Sequence, residues 1–193
     1  MKKIFALILL ASAAYSVTAQ ETTTPTKTRV RFGVKAGVNS SSFNWKHEGL
    51  EVSGVQSFYA GGIAVFPVSK NFNIQSELIY SGEGAKVAGT KMELNYVRLP
   101  LLFQYQHISG LHVEAGLQPG FMITNKATNV ETKEEMDTKD QLTKIGTTVA
   151  FGFGYRMKNG LGIDFRYAKG IDNPFGSADA KLVVASGGLS FIF

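Results

Sequence analysis

The chain has 193 residues, 20 Lys+Arg against 15 Asp+Glu for a formal net charge of +5, and no cysteine. That length fits one domain, so mild a charge makes no case for nucleic acid as a partner, and the missing thiols exclude both a disulfide framework and a lipid-anchored cysteine. Charged residues are scarce at 18%, while 21 glycines and 11% aromatics are high for a helical protein.

The chain opens as an export signal. Lys2 and Lys3 form a basic start, residues 4–14 an apolar run, and Val17, Thr18 and Ala19 a small-residue exit. This predicts a signal peptide over residues 1–19, a short periplasmic segment over 20–28, and a barrel domain over 29–193. The net charge of +5, less Lys2 and Lys3, becomes +3. No later stretch sustains the twenty or so apolar residues of a spanning helix, so insertion into lipid would have to use strands.

Eight segments with period-two patterning follow. In the first, Val30, Phe32, Val34, Ala36 and Val38 oppose Arg31, Gly33, Lys35, Gly37 and Asn39. The second, near residues 58–68, is apolar on both faces, with Tyr59, Ile63 and Val65 against Ala60, Gly62 and Ala64. The third sets Phe72, Ile74, Leu78 and Tyr80 against Asn73, Gln75 and Glu77. In the fourth, Val97, Leu99, Leu101, Phe103 and Tyr105 oppose Tyr96, Arg98, Gln104 and Gln106. The fifth, residues 111–123, opposes Val113, Ala115, Leu117 and Phe121 to His112, Glu114, Gly116 and Gln118. The sixth, residues 144–156, carries Val149, Phe151, Phe153 and Tyr155 against Thr148, Ala150, Gly152 and Gly154. The seventh, residues 161–168, sets Ile163, Phe165 and Tyr167 against Asp164 and Arg166. The eighth closes the chain, with Val183, Ala185, Leu189, Phe191 and Phe193 on one face.

The connections alternate. Tight turns fall near Ser69-Lys70, Ile108-Ser109-Gly110 and Lys158-Asn159-Gly160, and long connectors near 40–56, 82–92, 124–142 and 169–180. Two of the turns read as three residues ending in glycine, which keeps the polar faces of their strands together. This rhythm, with apolar faces and aromatics near strand ends, is that of an eight-stranded antiparallel up-and-down transmembrane β-barrel in an outer membrane. Both ends of the domain would then be periplasmic.

Sidedness assigns the residues. Outer-membrane lipid meets the apolar faces, and the charged faces enclose a lumen that side chains can fill. Enclosed charges must pair, so Glu77, Arg98, Glu114 and Arg166 are predicted to form a luminal ion-pair network. Folding the 82–92 connector symmetrically sets Glu77 opposite Arg98. Phe43 and Trp45, in the first long connector, are candidates for contact with an outer protein partner or for anchoring in the membrane interface. Phe191 and Phe193 are the expected C-terminal insertion signal, read by the barrel-assembly machinery.

Several stretches also resemble the PorT-like outer-membrane β-barrel family (a porin-like barrel domain): Gly33-Val-Lys-Ala-Gly-Val-Asn39, Glu77-Leu-Ile-Tyr80, Gly84-Ala-Lys86 and Tyr96-Val-Arg-Leu-Pro-Leu-Leu102. The resemblance spans nearly the whole mature chain and implies an eight-stranded outer-membrane barrel. Ser76 stands where many relatives carry proline. Some relatives are linked to protein secretion, a role that no residue here carries.

Chemistry is sparse. His112 and Glu114 share a face, yet no serine is placed to complete a triad, and His47 and His107 lie in connections. The acidic stretch from Glu131 to Asp140 lacks calcium-loop spacing and reads as a solvated loop; no cofactor, metal or catalytic site is expected. The reading is a non-enzymatic barrel with a structural or interaction role. The alternatives are a small-solute pore, a soluble barrel binding a ligand within, and a lipid-modifying enzyme.

Overall fold

The computed structural model describes residues 29–45, 52–87, 90–129, 135–137, 145–172 and 180–193. The predicted signal peptide, the segment 20–28 and His47 lie outside these residues.

Among the described residues, ten strands form one sheet: β1 (Arg31–Trp45), β2 (Val52–Pro67), β3 (Phe72–Val87), β4 (Thr90–Arg98), β5 (Leu101–Gln106), β6 (Leu111–Asn129), β7 (Glu135–Asp137), β8 (Ile145–Arg156), β9 (Leu161–Gly170) and β10 (Ala180–Ile192). All pairings are antiparallel. β1 pairs with β2 on one side and with β10 on the other, from Gly33↔Ile192 to Trp45↔Ala180, so the sheet closes on itself.

The closed sheet has eight positions. The expected fourth strand is two elements in one place, because β4 and β5 both lie between β3 and β6. The break is at Leu99-Pro100, where proline has no N–H for the ladder. Its carbonyl still accepts from Glu77 N, and Leu99 N reaches Pro119 O, so pairing resumes at Leu101. The tenth element, β7, comes from the acidic stretch expected to be a loop, and it pairs with the far end of β6.

The long connectors are also shorter than their sequence suggests. β1 runs on to Trp45, β3 to Val87 and β6 to Asn129, while β4 begins at Thr90. The ladder simply continues past the last outward apolar residue.

Two tight turns have the predicted form. In each, the third loop residue is a left-handed glycine, Gly110 (φ 99°) and Gly160 (φ 91°). Gly110 N donates to His107 O, and Gly160 N donates to Met157 O. Both turns then dock on the next strand, since Ile192 N donates to Gly160 O and Arg156 N to Gly110 O. A β-carbon at Gly160 would lie 2.1 Å from Ile192 O. Gly160→Ala is therefore expected to destabilise by about 2 kcal/mol, from the left-handed penalty and the lost close approach. The urea midpoint of the vesicle-inserted protein measures it.

Faces follow strand parity. Phe32, Phe103, Phe151 and Phe165 are all about half exposed on the outside of the ring, at 56%, 54%, 57% and 49%. Lys35, Glu77, Arg98, Glu114 and Arg166 are buried within. Phe72 packs against Tyr105 on the outer surface near the tight turns (centroids 5.2 Å), and Phe58 against Tyr80 further up (5.3 Å). From Phe72 to Tyr80 the strand climbs roughly 27 Å, or about 20 Å along a tilted barrel axis. That matches the apolar band of a membrane barrel, with an aromatic girdle at either edge.

Candidate functional site: the luminal charge network

The lumen is filled in layers. At mid-height Arg166 bridges two carboxylates. Its Nη1 donates to Glu77 Oε2 (2.9 Å) and its Nη2 to Glu77 Oε1 (2.7 Å). Its Nε and Nη2 also donate to Glu114 Oε1, at 2.9 and 2.5 Å. Lys35 Nζ donates to Glu77 Oε1 at 3.0 Å, so two cations meet two anions. Gln75 Nε2 donates to Glu77 Oε1 and to Glu114 Oε2, at 2.7 and 3.2 Å. Such an arrangement offsets the desolvation of each charge, because every one is both paired and hydrogen-bonded.

Glycine makes the space. Gly152 faces Glu114 across the β6–β8 ladder and Gly154 faces His112. A β-carbon at Gly152 would stand 2.9 Å from Glu114 Oε1, and at Gly154 2.7 Å from His112 Cε1. The glycines of the predicted inward face thus set where the longer side chains can lie.

Three of the four predicted network residues, Glu77, Glu114 and Arg166, come together. Arg98 does not join them. The β3–β4 register sets Ile79, not Glu77, opposite Arg98, because the hairpin runs to Val87↔Thr90 before it turns. That displaces Arg98 from Glu77 and brings Glu83 into reach. Arg98 Nε and Nη2 donate to Glu83 Oε1 and Oε2, both at 2.6 Å, a bidentate fork. The Arg98 guanidinium also lies over the Tyr96 ring, 4.4 Å from its centroid. Glu83 shares the inward parity of Gln75 and Glu77, and that parity runs on into 82–92 because the ladder continues there.

Polar contacts continue around this second pair. Ser81 Oγ donates to Glu83 Oε1 (2.8 Å), and Asn39 Nδ2 donates to Ser81 Oγ (2.9 Å). The void among Lys35, Glu83, Arg98 and Arg166 measures about 20 Å³, room for about one water molecule.

Above lies an apolar cap. Phe43, Ala85, Leu94, Tyr96, Met122 and Leu182 are buried in one cluster. Phe43 is therefore not an outer-loop contact. It sits on β1 opposite Leu182 and is 3% exposed, because the strand outlasts its predicted end and parity turns position 43 inward. Trp45 closes β1, with its backbone opposite Ala180.

Below, toward the tight turns, His112 Nε2 and Asp164 Oδ1 are 2.9 Å apart. His112 Nδ1 and Ser190 Oγ have no hydrogen-bond partner, so no serine–histidine bond forms there. His107 lies at a turn, with Nδ1 2.9 Å from Ser109 Oγ. Phe191 and Phe193 are on the outer surface, their rings 6.3 Å apart.

A closed antiparallel sheet with an oily exterior and a charge-paired interior defines the class: an outer-membrane β-barrel, the form in which strands can cross lipid without an unpaired edge. The sequence matches the outer membrane protein beta-barrel domain over residues 18–176, and the chain belongs to that family. Its place is the outer membrane, and the soluble ligand-binding alternative is ruled out, since the apolar faces point outward.

Two solved structures share the fold. Neisserial surface protein A aligns with TM-score 0.56 and 14% identity over 84% of this chain and 97% of its own. Ail, the attachment invasion locus protein of Yersinia pestis, aligns with TM-score 0.51 and 12% identity over 84% of this chain and 98% of its own. Among curated proteins, no sequence matches.

Proposed function

We propose that this protein is an eight-stranded, up-and-down transmembrane barrel with a structural or interaction role and no catalytic one, of PorT-like type. The tight turns and both ends of the domain face the periplasm. The raised strand ends and their connections face outward, where a protein partner docks. Membrane lipid surrounds the barrel, and Phe191 and Phe193 carry the signal for its assembly machinery.

The observation that carries this reading is the filled lumen. A neutral four-charge cluster, a second bidentate ion pair and an apolar cap succeed one another along the barrel axis. Beside them the mid-lumen void holds about 20 Å³. Layers of paired charge and apolar side chains leave little room for a column of water, which supports a plugged barrel over a pore.

Planar-bilayer recording of the purified barrel is expected to show no steady single-channel conductance. Reproducible conductance steps would replace this reading with the pore. For the interaction role, a photo-crosslinking side chain at Asn44 should yield a discrete protein adduct in intact cells. Adducts with lipid alone would leave only the structural role.

A further inference from the structure

We propose that the tight-turn mouth of the barrel is a binding site for a phosphate-class anion, clamped between Arg31 and Arg156. Such a site would serve a plugged and a conducting lumen alike.

The first ground is the odd status of these two arginines. Arg98 and Arg166 each form bidentate contacts with carboxylates. Arg156, 5% exposed, reaches only the neutral Gln104 Oε1 and Gln106 Oε1 through Nη1, at 3.5 and 3.3 Å. Its Nε, like that of Arg31, is buried without a partner. Among the described residues neither guanidinium has a carboxylate within 4.0 Å. Asp164, two residues deeper along β9, is bonded through Oδ1 to His112. Asp164, Glu114 and Glu77 attract the Arg156 guanidinium from farther off, but no carboxylate is bonded to it, so its desolvation is only partly offset.

The second ground is the charge of the whole rim. The described residues at this end, 29–33, 66–73, 104–113, 154–162 and 190–193, include Arg29, Arg31, Lys70, Arg156 and Lys158 and no Asp or Glu side chain. With every side-chain charge positive and only the terminal carboxylate of Phe193 against them, this concave surface focuses a positive potential and concentrates anions.

The third ground is space. A cavity of about 410 Å³ lies at the mouth, lined by Arg31, Arg156 and Lys158, and a second of about 350 Å³ is lined by Arg31 and Lys70. Volumes of this order hold small ligands. Convergent planar forks backed by ammonium groups suit a tetrahedral oxyanion with several acceptor oxygens. The phosphate could be free or carried by a lipid headgroup. The larger cavity is also lined by Tyr155 and Phe193, whose rings are exposed on the outer surface, as in an interfacial aromatic girdle.

The test reads the unpartnered atoms directly. The folded protein in zwitterionic detergent is titrated with inorganic phosphate, short-chain phosphatidylglycerol or short-chain phosphatidylcholine, and the Nε–H resonances of Arg31 and Arg156 are followed. A saturable shift with inorganic phosphate or phosphatidylglycerol is expected. Tighter binding of the lipid assigns the site to headgroups, and equal or tighter binding of phosphate to a soluble anion. Arg156→Gln should weaken binding by about tenfold or more, the loss of one charge-assisted hydrogen bond. Should that variant fail to fold, Arg31→Gln at its half-buried position carries the same test. Lys169→Gln, at the opposite end, should change nothing. No saturable shift, an equal response to phosphatidylcholine, or an equal loss in Lys169→Gln would overturn the site.

Discussion

Arg166→Met is expected to lower the stability of the inserted barrel by about 3–5 kcal/mol, the range for removing one partner from a buried ion network. Arg166 is the contact shared by Glu77 and Glu114. Without it, two buried carboxylates would share a single cation, Lys35. Equilibrium urea unfolding in phospholipid vesicles measures the loss. Arg166→Lys should fall between, since an ammonium keeps the charge but not the fork that binds both carboxylates. Adding Glu77→Gln to Arg166→Met leaves one cation, Lys35, and one anion, Glu114, in a cluster of no net charge, and should recover more than about 1 kcal/mol. Strictly additive losses would mean that the three groups do not act as a network. Lys86→Met, on the exposed extension of β3, should stay within about 0.5 kcal/mol of the parent.

The second large effect lies on the opposite surface. Phe151 is half exposed at the middle of β8, on the strand face away from Gly152 and the lumen. Phe151→Arg should cost about 2–4 kcal/mol, the cost of a cation at the mid-plane of a membrane barrel. Gln56→Arg, exposed on β2 beyond the outer girdle, should be nearly neutral because its depth differs. The pair of substitutions reads depth as well as sidedness. A barrel that kept these phenylalanines inside would lose stability at both sites for other reasons, and one floating free in water would tolerate both. Equal costs at the two positions would therefore reject the band drawn between Phe72 and Tyr80.

These expectations rest on features of unequal legibility. Face assignment was present in all but the second segment, which is apolar on both faces, because lipid on one side and enclosed polar groups on the other force alternation. Arg31, Lys35, Glu77, Glu114 and Arg166 therefore declare themselves inward by parity alone. The three-residue turns were equally plain, since only glycine takes the left-handed position without strain. Strand ends were not. Lipid imposes the alternating pattern, and beyond the bilayer both surfaces of a strand are free of it. Asn39-Ser-Ser-Ser-Phe-Asn44 consequently looks like a loop although its backbone pairs without interruption. Phe43 reads as a loop residue for that reason, although it lies buried on β1.

Partner choice within the lumen needed the third dimension. Parity states that Arg98 faces inward, but a hairpin centred one residue later than expected slides the register by two and exchanges Glu77 for Glu83. Arg166 reaches Glu77 across 89 positions of sequence, a contact made only when the ring closes. The sequence by itself determined which side of most strands meets lipid, because that depends on local alternation, and β2, apolar on both faces, needed the closed ring to set its side. The tertiary structure alone decided which charges meet, where the apolar cap sits and why two arginines are left over, because register and closure are properties of the whole ring.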